Sequence, residues 1–138
     1  MQPHVTQDIV IATEKENDLL EMLLSTDHHD LVLLLTGQDV LAYLREKTPA
    51  LLLIDAHLAD ISGITICSRV KKVARLQALP FVLLVAAKDT ASLKEAELCR
   101  ADALITKPLG GKDIRATVAR LLGKKTLSDG LLDLNKVS

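Results

Sequence analysis

The sequence predicts an α/β fold, one domain built on a doubly wound parallel sheet of five strands. Three observations predict it. Five short apolar runs, at 9–12, 31–35, 50–54, 81–85 and 103–105, are continuous rather than alternating in hydrophobicity, as in strands buried on both faces. Between them apolar residues recur three and four apart, the spacing of amphipathic helices. The 138 residues are 49% hydrophobic and 25% charged, enough for one substantial core. Strands alternating with helices in this way form a parallel sheet through right-handed crossovers, with helices on both faces.

Residues before Asp8 carry no pattern and are expected to form a loose leader. Ile9-Val10-Ile11-Ala12 is the first strand and ends in Thr13-Glu14. From Asn17 the period changes, and Leu19, Leu20, Leu23 and Leu24 mark a first helix ending near Ser25-Thr26-Asp27. After the second strand, Thr36 offers an N-cap to a helix carrying Val40, Leu41 and Leu44, and Pro49 closes its territory. The third strand runs to Asp55 and breaks into His57-Leu58-Ala59-Asp60-Ile61-Ser62-Gly63. A third helix from about Ser62 should turn Ile66, Val70 and Val73 inward, and Arg69, Lys71, Lys72 and Arg75 mostly outward.

Pro80 introduces the fourth strand, and Asp89 or Thr90 can cap a fourth helix running to about Leu98. That helix has the thinnest apolar face, Leu93, Ala96 and Leu98. The fifth strand stops at Thr106-Lys107-Pro108. A last helix from about Lys112 puts Ile114, Val118, Leu121 and Leu122 on one face, with Lys124-Lys125 at its C-terminal end, where cations suit the dipole. Beyond Gly123 the sequence turns polar around Leu127, Leu131, Leu132 and Leu134. The chain therefore divides into a domain over 1–123 and a C-terminal tail or linker over 124–138.

Composition excludes several classes. A net charge of −1, from 17 basic and 18 acidic residues, leaves no surplus to neutralise phosphates along a duplex, so direct nucleic-acid binding is not expected. The start lacks a signal-peptide pattern and no apolar run nears the ~20 residues of a membrane span, so a cytoplasmic location without membrane contact is expected. The length leaves no room for an attached DNA-binding domain, making the chain a stand-alone module or a fragment. Cys67 and Cys99 lack any CxxC spacing and are expected as small core residues, and His28-His29 as part of a solvated loop. Thr13-Glu14-Lys15-Glu16-Asn17 contains no glycine, and Tyr43 and Phe81 are the only aromatics, which disfavours a nucleotide or flavin enzyme on this scaffold.

In an open parallel sheet ligands gather at the carboxyl ends of the strands where strand order reverses, between strands one and three in the flavodoxin-like order 2-1-3-4-5. Glu14 ends strand one, Asp55 ends strand three, and Lys107 ends strand five. Singly, each has a plain reading: Asp55 as a turn or cap carboxylate, Glu14 as a first-turn acid near a helix dipole, Lys107 as a surface cation. Together they describe a site. Two carboxylates held close repel unless a cation sits between them or one is protonated, and Mg²⁺ suits such ligands. An oxygen of Asp55 can then attack a phosphoryl group to form an acyl phosphate, which the Lys107 ammonium stabilises.

Ile9-Val10-Ile11 with Glu14, Leu52-Leu53-Ile54-Asp55 with Gly63, Ala87-Lys88-Asp89, and Ile105-Thr106-Lys107-Pro108-Leu109 follow one another in an order that resembles the receiver domain of bacterial two-component response regulators, the CheY-like family, over about 8–122. The resemblance implies that Asp55 accepts a phosphoryl group from a histidine kinase or phosphotransfer protein in a phosphorelay. It implies Mg²⁺ held by Asp55, Glu14 and the main-chain carbonyl of His57, and Lys107 in contact with the phosphoryl group. It implies a cis peptide before Pro108, and no enzyme activity beyond Mg²⁺-dependent self-phosphorylation and dephosphorylation at Asp55.

The sequence departs from the family pattern at Thr13, where an acid is usual, at Ala86, where Ser or Thr is usual, and at Leu104, where an aromatic is usual. Ala59 stands near the place of a Pro and Arg100 in that of a Gly. These departures imply weaker Mg²⁺ binding and a response that does not couple a hydroxyl at the end of strand four to a ring on strand five. The face of helix four, strand five and helix five, with Lys94, Glu95 and Arg115, is the implied surface for a homodimer or an effector. The alternative is a degenerate receiver acting as a phosphorylation-independent protein-binding module.

Overall fold

The computed structural model describes residues 4–13, 29–107 and 111–129. Five strands, β1 (Asp8–Ala12), β2 (Asp30–Leu34), β3 (Leu51–Asp55), β4 (Phe81–Ala86) and β5 (Ala103–Lys107), form one parallel sheet in the order β2-β1-β3-β4-β5. This is the doubly wound, flavodoxin-like order that the sequence predicts. The described helices are α1 (Gly37–Glu46), α2 (Gly63–Lys72), α3 (Thr90–Leu98) and α4 (Gly111–Asp129). The helix expected from Asn17 lies outside the described residues.

Continuous hydrophobicity has the physical meaning expected of it. Alternate residues of the inner strands enter two separate cores. Val10, Leu52, Ile54 and Leu83 pack with Val40, Ile66, Val70 and Ala96 from α1, α2 and α3. Ile9, Leu53 and Leu84 pack on the other face with Ile114, Val118 and Leu121 of α4. β3 lies between β1 and β4, so all five of its residues are buried, whereas β2 at the edge is only partly covered. The helix starts follow local chemistry: Thr36, Ser62 and Asp89 each accept a backbone N–H from the first turn they precede.

Four expectations need correction. His4–Val5 pairs in parallel with Lys47–Thr48, so the leader is tied to the far side of α1. Val73 is exposed, because it caps α2 with an extended backbone and leaves the helical face. Leu98 is 84% exposed. It lies two residues after Ala96 and so on the opposite side of α3, while Cys99, three residues after Ala96, takes the buried place. The last helix runs past Gly123 to Asp129, with Lys124 and Lys125 inside it rather than at its end. Gly123 alone costs a helix only about 1 kcal/mol, and the chain offers no Pro near it.

Both cysteines are buried, and the Cys67 thiol donates to the Cys99 carbonyl across the α2–α3 contact at 3.2 Å. No described helix is long and apolar enough to cross a membrane. Arg100, before β5, has φ 70°, the left-handed region that a Cβ disfavours by roughly 1–2 kcal/mol. Arg100→Gly should therefore raise stability by about 0.5–1 kcal/mol, the larger chain entropy of glycine when unfolded offsetting part of the gain. Urea unfolding at neutral pH checks this; an unchanged or lower midpoint would show that the Arg100 backbone carries no strain.

Candidate functional site

The cleft is set by strand register. Ala12 pairs with Ile54, Asp55 with Leu84, and Ala86 with Lys107, so the carboxyl ends of β1 and β3 stand together while β4 and β5 run two residues past Asp55 on one side of it. Asp55, the last residue of β3, is 3% exposed. A buried carboxylate must have its oxygens satisfied, and both are. Oδ1 accepts the His57 N–H at 2.9 Å. Oδ2 accepts the Thr13 hydroxyl at 3.2 Å and the Lys107 ammonium at 2.6 Å. Lys107 reaches this oxygen from two strands away with its side chain 23% exposed.

The loop after Asp55 is fastened at three points. Gly63 N–H donates to the Ala56 carbonyl at 2.9 Å and the Ser62 hydroxyl to the same oxygen at 3.2 Å, folding the loop back against its own strand. Asp60 accepts the first two amides of α1, Gly37 N–H at 2.8 Å and Gln38 N–H at 2.9 Å. Those contacts, Gly37 foremost, hold the Asp60 carboxyl below its ordinary range. On the other side, the exposed His57 ring meets the Asp89 carboxylate, which caps α3 through the Ser92 N–H at 3.0 Å. A carboxylate at each helix start also suits the dipole.

Asp89 is lowered from 3.8 to about 2 by Ser92, through side chain and backbone, and then by His57. A carboxyl whose folded pKa is depressed stabilises the fold above its unfolded pKa, and the contribution is lost as pH falls through the folded one. The stability difference between the protein and Asp89→Ala should thus shrink as pH falls from about 4 to about 2. Denaturant midpoints measured across that range check it; a difference that stays constant down to pH 2 would refute the assignment.

The structure thus brings Thr13, Asp55, His57 and Lys107 together. Glu14 and Pro108, with the expected cis bond, lie outside the described residues. At the end of β4, Ala86 presents a methyl group, and Leu104 on β5 is 39% exposed. Sequence reasoning missed Asp60 and the His57 ring, whose partners lie 23 and 32 positions away and leave no local signal.

Asp55 Oδ1 gives one lone pair to His57 N–H and keeps another, and the His57 carbonyl accepts no hydrogen bond among the described residues. Both are hard oxygen donors, two residues apart in the chain, of the kind a Mg²⁺ ion takes when it completes its shell with water. Thr13 adds a neutral oxygen where an acid would add charge.

Comparison with known proteins places the chain in a family. The family model described as response regulator receiver domain matches residues 7–119. The transcriptional regulatory protein AfsQ1 of Streptomyces coelicolor is 31% identical over 103 residues, which cover 75% of this chain and 44% of that protein. The chain spans about half the length of the curated relatives it matches. The receiver domain of a signal transduction histidine kinase from Syntrophus aciditrophicus superposes with a TM-score of 0.80 at 23% identity, covering 86% of this chain and 91% of that one. The receiver domain of sensor histidine kinase PA1611 from Pseudomonas aeruginosa, solved with magnesium coordinated in its active-site cleft, has a TM-score of 0.76 at 14% identity, covering 86% and 98%. At these identities the two structures speak for the fold.

Proposed function

We propose that this chain, which belongs to the response regulator receiver domain family, takes a phosphoryl group onto Asp55 Oδ2 from a histidine kinase or phosphotransfer protein. One observation carries the reading. A nearly buried carboxylate at the switch point of the sheet has one oxygen fixed by the loop amide and the other held 2.6 Å from an ammonium group. In the step itself an Oδ2 lone pair forms the new O–P bond. The bond from phosphorus to the donor breaks, and its electron pair leaves with the imidazole of a phosphohistidine or the acetate of acetyl phosphate.

Lys107 first orients Oδ2 and then balances the charge of the transferred group. The loop fastened by Asp60 and His57 keeps Asp55 from turning away. Asp55 Oδ1, the His57 carbonyl and Glu14 would hold Mg²⁺, which, when bound, neutralises charge on the phosphoryl oxygens. The magnesium in the cleft of the PA1611 receiver domain supports that reading. Lys94, Glu95 and Arg115, exposed on α3 and α4, belong to the surface we assign to a second copy or an effector.

Intact-mass spectrometry after incubation with acetyl phosphate and Mg²⁺ tests the proposal. A single phosphoryl adduct, labile to hydroxylamine and missing in Asp55→Asn, is expected. If neither acetyl phosphate nor a phosphorylated phosphotransfer domain gives an adduct, the proposal fails and a phosphorylation-independent binding module takes its place.

A further inference from the structure

Thr13 directly follows β1 with its side chain fully buried, and its hydroxyl shares Asp55 Oδ2 with Lys107. Two donors on one oxygen suit a carboxylate. They do not suit the bridging oxygen of an acyl phosphate, whose negative charge has moved out to the phosphoryl oxygens. A buried hydroxyl keeps a hydrogen-bond partner, so the one on Thr13 must follow the charge.

Among the described residues at this end of the sheet, the other hydroxyls face solvent or are engaged, that of Ser92 beside the His57 ring at 3.4 Å. β4 ends in Ala86, Thr106 is exposed, and the Ser62 hydroxyl is spent on the Ala56 carbonyl. On its main-chain side Thr13 N–H donates to the carbonyl of Leu34, the last residue of β2, at 3.3 Å. Two residues further on, Thr36 caps α1, the same helix start that Asp60 holds from the loop after β3.

We propose that the Thr13 hydroxyl is the group through which this chain registers phosphorylation. It donates to Asp55 Oδ2 in the free state and to a phosphoryl oxygen in the modified state. It keeps its proton throughout, and the only covalent change is the O–P exchange already given. The response then crosses from Thr13 to the end of β2 and the start of α1, where two connections from the site converge. This rests on Asp55 being the phosphoacceptor.

The test uses the full chain with beryllofluoride and Mg²⁺. Beryllium accepts the Oδ2 lone pair, and its fluorines stand in for the phosphoryl oxygens. In the unaltered chain, NMR should show shifts at the Asp55–His57 amides, at the Thr13 methyl group and at the amides of residues 34–37. Thr13→Ser should behave alike. Thr13→Val, matched in shape without the hydroxyl, should bind beryllofluoride about tenfold more weakly, the typical effect of one charge-assisted hydrogen bond, and lose the response at 34–37. Adding Ala86→Ser to Thr13→Val should recover affinity without recovering that response.

Thr13→Val with the original affinity and the original response at 34–37 would overturn the inference alone. So would a Thr13 methyl signal that ignores the adduct in the unaltered chain, a reading that needs no variant to fold. No adduct at Asp55 in the unaltered chain would overturn the phosphoacceptor reading and this inference with it.

Discussion

Gly63→Ala is expected to lower stability by about 3 kcal/mol and the melting temperature by about 10 °C, the upper range for overpacking a site that cannot yield. An added Cβ would lie 2.2 Å from the Asp55 carbonyl oxygen and 3.0 Å from the Ala56 Cα. Both obstacles are backbone. Neither can swing aside as the end of a side chain does, so β3 and the first turn of α2 must part. The Gly63 N–H bond to Ala56 would lengthen with them. Because the crowded carbonyl belongs to Asp55, the damage should reach the cleft, and His57 N–H should lose its protection against hydrogen exchange. Calorimetry and exchange together check this. A variant as stable as the parent would mean that the loop relaxes freely and does not fix the carboxylate.

That contact shows where legibility in the sequence ends. The run ending at Asp55 was legible because burial on both faces demands unbroken hydrophobicity, and the helix starts at Thr36, at about Ser62 and at Asp89 or Thr90 were legible because a cap acts within three residues. Lys107 was legible as a strand end, and strand order did the rest. Leu98 was misplaced because a thin apolar face gives weak phase information, and one misassigned leucine turns it. Asp60 on α1 and His57 on Asp89 had no signal, since such pairs join segments that only the crossovers bring together. The sequence shows Gly63 but not the carbonyl against which it rests.

The second large effect belongs to Lys107. Replacing it with Met keeps the length of the side chain and removes the ammonium group 2.6 Å from Asp55 Oδ2. A carboxylate only 3% exposed would then depend on the Thr13 hydroxyl and one amide, without a countercharge. Breaking a fully buried pair costs about 3–5 kcal/mol; because Lys107 is 23% exposed and water can reach its place, about 2 kcal/mol is expected. Asp55→Asn is the milder change. Its carbonyl oxygen can still serve Lys107 and Thr13 while its NH₂ faces the His57 N–H, a loss of about 1 kcal/mol. In the double variant no unpaired buried carboxylate remains, so Lys107→Met should cost at least about 1 kcal/mol less in the Asp55→Asn background than in the parent. Urea unfolding of the four proteins gives this coupling. A coupling near zero would show that Asp55 does not need the ammonium for its burial, and would remove the observation on which its role as phosphoacceptor rests.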